Sequence, residues 1–222
     1  YAQYFVKYIQ QMAARGISIN AVTIQNEPQH GGNNPSMLMA AAQQADFIKN
    51  HLGPAFQAAA INTKIIVWDH NRDLITQRAD VILSDPEASK YVWGVGFHWY
   101  ETWTGGQPMF QNVKTVHENY PDKNLIFTEG CVERFDAKNY QLWKNGMRYG
   151  ISMINDFNSG TTIWTDWNIL LDQQGGPNHV GNFCFSSFYC DTVTWQLIYT
   201  PSYYFIGHFS KYIRPGAKRV AT

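Results

Sequence analysis

Two glutamates, Glu27 and Glu129, carry the clearest potential for chemistry, because each stands where a short apolar run stops. The run 21–24 leads to Glu27, and the run 124–127 leads to Glu129. Two carboxylates that project from the ends of different strands towards one site are the minimum apparatus of a glycoside hydrolase. One protonates the departing oxygen, and the other attacks the sugar or activates water. The stereochemistry stays open, because retention needs carboxylates about 5–5.5 Å apart and inversion about 6.5–9.5 Å.

Five strand-like segments alternate with helical segments, and each strand ends in polar residues. Pro28 cannot continue a strand and favours extended geometry at Glu27, so the first strand should stop there. Apolar periodicity and turn residues predict strands over 21–27, 64–69, 92–100, 124–129 and 161–168. They predict helices over 1–12, 35–53, 74–83, 110–118, 140–154 and 205–213, with Pro35 in a first turn and stops at Gly16 and Gly53-Pro54. The stretch 172–200 is predicted to be a long excursion, containing Gly and Asn, before the last helix.

This alternation is typical of a parallel α/β architecture with its chemistry at the carboxyl ends of the strands. A closed eight-stranded barrel typically needs about 250 residues, and five β/α units fall short of it. The predicted fold class is therefore α/β, a partial (β/α)8 TIM barrel of about five β/α units. We expect one domain over residues 1–222, whose 45% hydrophobic content is sufficient for a large core.

The composition favours a neutral, hydroxyl-rich ligand such as a sugar. Lys plus Arg and Asp plus Glu both number 17, so no basic surface is available for nucleic acid or anionic lipid. Charged residues make up only 15% of the chain, whereas Asn, Gln, Trp and Tyr are plentiful. No apolar run reaches about 18 residues, which argues against an integral membrane segment.

The cysteines and histidines give weaker signals. Cys184 and Cys190 could pair across a short loop or remain free thiols, and the sequence leaves both alternatives open.

The absence of an Asn-x-Ser/Thr acceptor with a permitted middle residue favours a bacterial source. We expect a secreted or periplasmic protein, with a lysosomal location as the alternative. Because His30, His70 and His179 lack metal-ligand spacing, we predict neither a metal nor a cofactor.

Taken together, six motifs in order along the chain resemble glycoside hydrolase family 30, specifically its glucosylceramidase branch. They are Asn26-Glu27-Pro28, His98-Trp99-Tyr100, Thr128-Glu129-Gly130-Cys131-Val132, Trp164-Thr165-Asp166-Trp167-Asn168, Gly175-Gly176-Pro177-Asn178 and Gly207-His208-Phe209-Ser210-Lys211. The resemblance implies a (β/α)8 barrel flanked by a β-sandwich and a retaining mechanism. It makes Glu27 the acid/base and Glu129 the nucleophile.

The resemblance also implies the residues that bind substrate. Asn26 would hydrogen-bond the sugar 2-hydroxyl, while His98 and Tyr100 would orient Glu129 and line the pocket. Trp167 would offer its face to the sugar ring, and Asn182 would reach the sugar from the following loop. Asp69 would lie at the tip of its strand and support these residues rather than contact the sugar itself.

Several neighbouring residues have a plainer interpretation. Trp164 and Trp167 would lie on opposite faces of a strand, so we interpret Trp164 as a packing residue. Asp166 either supports a catalytic residue or forms a salt bridge. Glu101 and Glu133 lie beyond their strand ends, and we expect both to be solvated.

The resemblance begins at the helix before the fourth barrel strand, so the chain corresponds to strands 4 to 8. The first three strands and the flanking β-sandwich are absent from residues 1–222. The implied function is a retaining β-glycosidase acting on a glucosylceramide-like lipid or a simple β-glucoside. The alternatives are a β-1,6-glucanase, a β-xylosidase, or a non-catalytic sugar-binding or structural fragment of a longer enzyme. Open sheet edges also predict a homodimer or association with the missing barrel segment.

Overall fold

The computed structural model describes residues 1–31, 36–104, 106–178 and 180–220, with backbone only at Trp103 and Thr104. Pro35 and His179 lie outside the described residues. The chain forms two compact units. The first contains Tyr1–Thr128 and Asn158–Thr165, and the second contains Glu129–Phe157 and Asp166–Thr222.

The first unit is built on a five-stranded sheet whose order is the order of the chain. Its strands are β1 (Ala21–Thr23), β2 (Lys64–Asn71), β3 (Val92–His98), β4 (Asn124–Glu129) and β5 (Thr161–Trp164). The β1–β2, β2–β3 and β4–β5 pairs are parallel. The alternating helices are α1 (Ala2–Ala13), α2 (Ala41–Phe47), α3 (Gly53–Ala58), α4 (Ile75–Leu83), α5 (Pro86–Ser89) and α6 (Phe110–Asn119). This arrangement confirms the predicted partial (β/α) barrel.

Apolar strand residues fill the centre of this unit. Val67, Val95 and Phe127 are each fully buried. Trp164 stacks on Phe127, with the ring centroids 4.1 Å apart and the planes 8° apart, which confirms its interpretation as a packing residue. Gly94 is required by close approach, because a Cβ there would lie 2.6 Å from the carbonyl oxygen of Asn124.

The predicted helix over 35–53 is wrong in its bounds. The described helix begins at Ala41 and continues beyond Gly53 through a π-helical turn, Ile48–Leu52, into α3. Pro54 lies in the first turn of α3, where the missing N–H costs little. Gly53 is present for packing, since a Cβ would approach the Tyr91 ring to 2.5 Å. The expected stop at Gly16 is confirmed by its φ of +78°.

Among the described residues, the second unit contains the helix α8 (Pro201–Ser210) and all of the helix α7 (Trp143–Asn158) except its last residue. Gly146 and Gly150 of α7 accommodate the ring of Phe205, because a Cβ at either would lie 2.5 or 2.6 Å from that ring. The predicted long excursion over 172–200 contains short strands that the sequence did not predict. A three-stranded sheet is formed by β6 (Leu170–Asp172), β7 (Phe188–Cys190) and β8 (Leu197–Tyr199). Strands of three residues are too short to show a periodic sequence pattern.

Candidate active site

The candidate site of the first unit is organised by an irregularity in β2. The register between β2 and β3 shifts between Trp68 and His70, so Asp69 is left out of the pairing. Trp68 and Asp69 have φ angles of +69° and +60°, which side chains other than glycine rarely adopt. A bulge of this kind redirects a side chain and is common beside functional sites. Here it directs the Asp69 carboxylate towards His98, and His98 in turn contacts Glu27.

Glu27 follows β1 by four residues and lies in a tight turn. Its backbone N–H donates a 3.0 Å hydrogen bond to the carbonyl oxygen of Asp69, and its own carbonyl accepts a 2.8 Å bond from the N–H of His30. The φ of Glu27 is +45°, so the expectation of extended geometry before Pro28 is wrong. The hydrogen bond to the Asp69 bulge outweighs the local preference that proline imposes. Strand β1 accordingly ends at Thr23 rather than at Glu27.

His98 joins Glu27 to Asp69. The His98 side chain is fully buried, with its Nδ1 atom 3.3 Å from Oε1 of Glu27 and its Nε2 atom 3.2 Å from Oδ1 of Asp69. The same Asp69 oxygen accepts a 2.6 Å hydrogen bond from Oγ1 of Thr128. The site therefore draws one side chain from the end of each of β2, β3 and β4. The Glu27 side chain remains 25% exposed, which leaves it open to a substrate.

These contacts determine the charge states of the two carboxyl groups. Burial alone would raise the pKa of Asp69, but hydrogen bonds and charge from His98, with the hydroxyl of Thr128, lower it below its ordinary value. Glu27 follows the same pattern. Burial would raise its pKa, but the hydrogen bond and charge of His98 and the charge of His70 lower it. Both groups are thus carboxylates at neutral pH.

His70 is a member of the site that the sequence did not suggest. Its Nδ1 atom lies 3.9 Å from Oε1 of Glu27, and its ring stacks on Trp68 at a centroid distance of 5.3 Å. Its pKa is lowered, first by burial, against the opposing charge of Glu27. The only sequence signal was its place at the polar tip of β2, directly after Asp69.

A buried ion pair lies close to the same strand end. Nη1 of Arg72 donates a 3.0 Å hydrogen bond to Oε1 of Glu101, and both side chains are 1% exposed. The Arg72 guanidinium also lies over the rings of Phe97, Phe110 and Phe127, at 5.3, 4.8 and 5.5 Å from their centroids. The expectation that Glu101 is solvated is therefore wrong, because a cation held among aromatic rings requires a buried anion.

The other predicted residues of the first unit are placed as follows. Asn26 is exposed beside Glu27. Tyr100 is buried, its N–H donates to Oδ1 of Asn71 at 2.9 Å, and its ring meets that of His98 edge-on at 5.9 Å. The described contacts of His98 include Glu27, Asp69, His70 and Tyr100.

The remaining predicted residues belong to the second unit. Glu129 ends β4 and is partly buried. Trp167 is 46% exposed and lies beyond β5, so the argument from opposite strand faces does not apply to it. Asn182 is exposed, and its Oδ1 accepts a 2.9 Å bond from Nδ2 of Asn178.

Asp166 is a strongly perturbed carboxyl group of this unit. Burial raises its pKa to about 7, although hydrogen bonds from Tyr149, the N–H of Trp167 and Ser187 oppose the rise. Oη of Tyr149 donates to Oδ1 of Asp166 at 2.9 Å, and burial together with the Asp166 charge raises the pKa of Tyr149 well above its ordinary value. Asp166 therefore has hydrogen-bonding neighbours rather than a salt bridge among the described contacts.

The solvation of Glu133 and the state of the cysteine thiols were two further expectations. Glu133 is 25% exposed and accepts a 2.6 Å bond from Nη1 of Arg148, so it is partly solvated and also ion-paired, and the sequence predicted only the solvation. The backbone of Glu133 forms an isolated antiparallel bridge with Cys184. Cys131, Cys184 and Cys190 are free thiols, which decides the alternative left open for the last two.

Among the described helices, none is both long and apolar enough to cross a membrane.

Comparison with known proteins places this arrangement in a family. The chain is 37% identical to the lysosomal acid glucosylceramidase of Mus musculus, over 100% of the chain and 44% of that protein. The crystal structure of SrfJ from Salmonella typhimurium superposes with a TM-score of 0.88 at 32% identity, covering 97% of this chain and 47% of that one. The endo-β1,6-glucanase BT3312 gives a TM-score of 0.83 at 34% identity, with 97% and 48% covered. The chain thus spans about half the length of the relatives it matches.

A family model covers almost all of the sequence. The model of the glycosyl hydrolase family 30 TIM-barrel domain matches residues 1–213. That match includes Glu27, Asp69, His98 and Glu129. The chain belongs to glycosyl hydrolase family 30.

Proposed function

We propose that this protein is a retaining β-glycosidase that cleaves a β-glucosyl bond in a glucosylceramide-like lipid or a simple β-glucoside. The observation that carries the proposal is the position of Glu27. It is a quarter exposed, held by its backbone on Asp69 and by its side chain on His98, in a chain that belongs to family 30. The 37% identity to a lysosomal acid glucosylceramidase supports the choice of substrate.

In the proposed mechanism Glu129 attacks the anomeric carbon while Glu27 protonates the departing oxygen. The resulting glycosyl-enzyme ester is then hydrolysed by water, from which Glu27 removes a proton. Glu27 thereby returns to its protonated form, and Glu129 is released as a carboxylate. Asn26, His98, Tyr100, Trp167 and Asn182 are proposed to contact or position the sugar.

The described environment of Glu27 favours the base form over the acid form. Burial raises its pKa but His98 and His70 lower it more, whereas a general acid needs a higher pKa. In paired-carboxylate enzymes the second ionised carboxylate raises the pKa of the acid. We propose that the substrate-binding site is completed by polypeptide beyond the five described β/α units.

The origin of that additional polypeptide is a separate proposal. An eight-stranded barrel requires three more strands than the first unit contains. We propose that another segment of polypeptide or a second copy of the chain supplies them. The mass of the purified protein in solution distinguishes a homodimer from a monomer.

A second candidate substrate is β-1,6-linked glucan, because the endo-β1,6-glucanase BT3312 is 34% identical to this chain. Both candidates share the same carboxylate chemistry, so the difference lies in the residues that receive the leaving group. We further propose a secreted or periplasmic location, with the lysosome as the alternative in a eukaryotic source. Cell fractionation tests the location.

The decisive experiment combines a substrate panel with covalent labelling. Aryl β-glucosides, glucosylceramide, a linear β-1,6-glucan and aryl β-xylosides are compared by kcat/KM. We expect β-glucosides to be preferred. A 2-deoxy-2-fluoro-β-glucoside with a good leaving group should then trap the glycosyl-enzyme, and peptide mass mapping should locate the label on Glu129. A label on another residue, or hydrolysis with inverted configuration, would overturn the proposal.

A further inference from the structure

The strand ends of the first unit bring together three side chains that can bind a metal ion. Nδ1 of His98 and Nδ1 of His70 lie 3.3 and 3.9 Å from Oε1 of Glu27. One ligand atom from each of the three residues lies within 4.8 Å of the other two. A tetrahedral Zn²⁺ with bonds of about 2.0–2.1 Å holds its ligand atoms roughly 3.3–3.5 Å apart. Small side-chain movements are therefore enough to convert this arrangement into a coordination site.

Hydrogen-bond roles at His98 favour a cation between the ligands. Nε2 of His98 faces the Asp69 carboxylate, which only accepts hydrogen bonds, so Nε2 is the donor. In the neutral imidazole Nδ1 is then an acceptor, and it faces a carboxylate oxygen of Glu27 at 3.3 Å. Two acceptors at this distance need a proton or a metal ion between them.

His70 supplies an independent observation. Its Nδ1 atom is buried and has no hydrogen-bond partner within the part of the chain that the structure describes. A buried polar nitrogen left in this state is costly. The nitrogen lies on the same side as the Glu27 oxygen, 3.9 Å away. A bound metal ion would satisfy it.

The surroundings match those of known histidine ligands. A histidine that binds a metal usually donates its second N–H to a carboxylate, which fixes its tautomer and orientation. Asp69 performs this task for His98, and its own oxygen is held by Oγ1 of Thr128 at 2.6 Å. Two imidazoles and one carboxylate suit Zn²⁺ and related transition metals, whereas Mg²⁺ and Ca²⁺ prefer oxygen ligands alone.

We propose that Glu27, His70 and His98 form a binding site for Zn²⁺, and that the bound ion inhibits the protein by occupying Glu27. The proposed binding of Zn²⁺ rests on the positions of the three side chains. The inhibition rests on the proposed function, because a metal-bound Glu27 carboxylate cannot donate or accept the proton that glycoside cleavage needs. A protein with this site would be regulated by the free Zn²⁺ concentration of its compartment.

The test measures binding and turnover separately. Protein freed of metal with EDTA and then dialysed is titrated with Zn²⁺ alone against a chromophoric chelator. We expect one ion per chain, and binding at least tenfold weaker in His70→Asn and in Glu27→Gln. The control is His51→Asn, which removes an exposed histidine of the π-helical turn and should bind Zn²⁺ as the parent does. Circular dichroism and urea unfolding in EDTA establish that each variant is folded.

A spectroscopic readout identifies the ligands. Co²⁺ alone should give the visible absorption of a low-coordination site with imidazole ligands, and this absorption should be lost in His70→Asn. Equal Zn²⁺ affinity in the parent and in both variants would overturn the site. Tight binding at the site together with undiminished glycosidase turnover would overturn the inhibition and the role of Glu27, but not the site itself.

Discussion

Nε2 of His98 lies 3.2 Å from Oδ1 of Asp69, the carboxylate that the β2 bulge turns inwards. That oxygen also accepts the hydroxyl of Thr128, so a single buried acceptor joins residues from β2, β3 and β4. The backbone carbonyl of Asp69 in addition holds the N–H of Glu27. Asp69 therefore positions Glu27 through two routes, one through its backbone and one through His98.

Asp69→Asn should lower the free energy of unfolding by about 1–3 kcal/mol, because a charged buried acceptor is replaced by a neutral amide. Urea denaturation at neutral pH measures the change. Asp46→Asn is the matched control, since Asp46 is exposed and accepts a 2.7 Å hydrogen bond from Nδ2 of Asn50 at the surface. It should change stability by no more than about 0.5 kcal/mol. Equal effects of the two substitutions would contradict a supporting role for Asp69.

The sequence predicted the strand ends better than the contacts between them. Glu129 at the end of β4 followed from an apolar run of ordinary length, and the structure ends that strand at Glu129. The contact between Glu27 and His98 joins residues 71 positions apart, and no local pattern records it. The bulge at Asp69 was equally hidden, because a register shift depends on the partner strand as well as on the sequence of its own.

Glu101 shows a different limit of sequence analysis. A glutamate beyond a strand end is usually solvated, and nothing nearby in the sequence suggested its partner. Arg72, 29 positions earlier, buries its guanidinium among three phenylalanine rings and binds Glu101 there. Charge pairing across a fold appears only when the strands have been placed side by side.

Glu101→Ala should destabilise the first unit strongly. The substitution leaves the Arg72 guanidinium buried without its anion, and breaking a buried pair in this way costs about 3–5 kcal/mol. Glu118→Ala is the matched control, because its 3.7 Å pair with Lys114 is exposed. That control should change the free energy of unfolding by at most about 1 kcal/mol. Similar losses for both variants, measured by urea denaturation, would show that the Arg72–Glu101 pair is not the stabilising feature we describe.

Asp166 should make the stability of the protein fall as pH rises from about 4 to about 7. Burial raises its folded-state pKa to about 7, whereas an unfolded Asp titrates near 3.9. In that window the folded state binds more protons than the unfolded state, so the free energy of unfolding decreases with pH. The difference between the folded and unfolded pKa values of Asp166 corresponds to about 4 kcal/mol over the whole window. Urea denaturation across this pH range measures the slope.

Asp166→Asn should remove that slope, because the amide imitates the protonated acid and can still accept from Tyr149 and the N–H of Trp167. At pH 8 the variant should be more stable than the parent. Asp136→Asn is the control, since Asp136 is exposed. It should retain the parent slope. A variant at Asp166 with the same slope as the parent would refute the assignment.

Glu129→Gln and Glu27→Gln should differ in how much turnover they retain. Without the proposed nucleophile no glycosyl-enzyme forms, so Glu129→Gln should abolish turnover of every substrate. Glu27→Gln removes general acid and base assistance, which is worth about 10²–10⁴-fold. It should keep partial activity towards aryl glycosides whose leaving group departs unaided, although hydrolysis of the intermediate then lacks its base. Glu118→Gln, at an exposed glutamate, is the control and should retain parental kcat and KM.

Azide distinguishes the two roles directly. Replacing Glu27 by alanine leaves room for azide to attack the glycosyl-enzyme formed on Glu129, so the product should be a glycosyl azide of retained configuration. The rate of Glu27→Ala should rise with azide concentration, and nuclear magnetic resonance of the product gives its anomeric configuration. A retained azide from a Glu129 variant, with no rescue of Glu27→Ala, would exchange the two assignments. The carboxylate held by His98 and Asp69 would then be the nucleophile, for which its lowered pKa would be well suited.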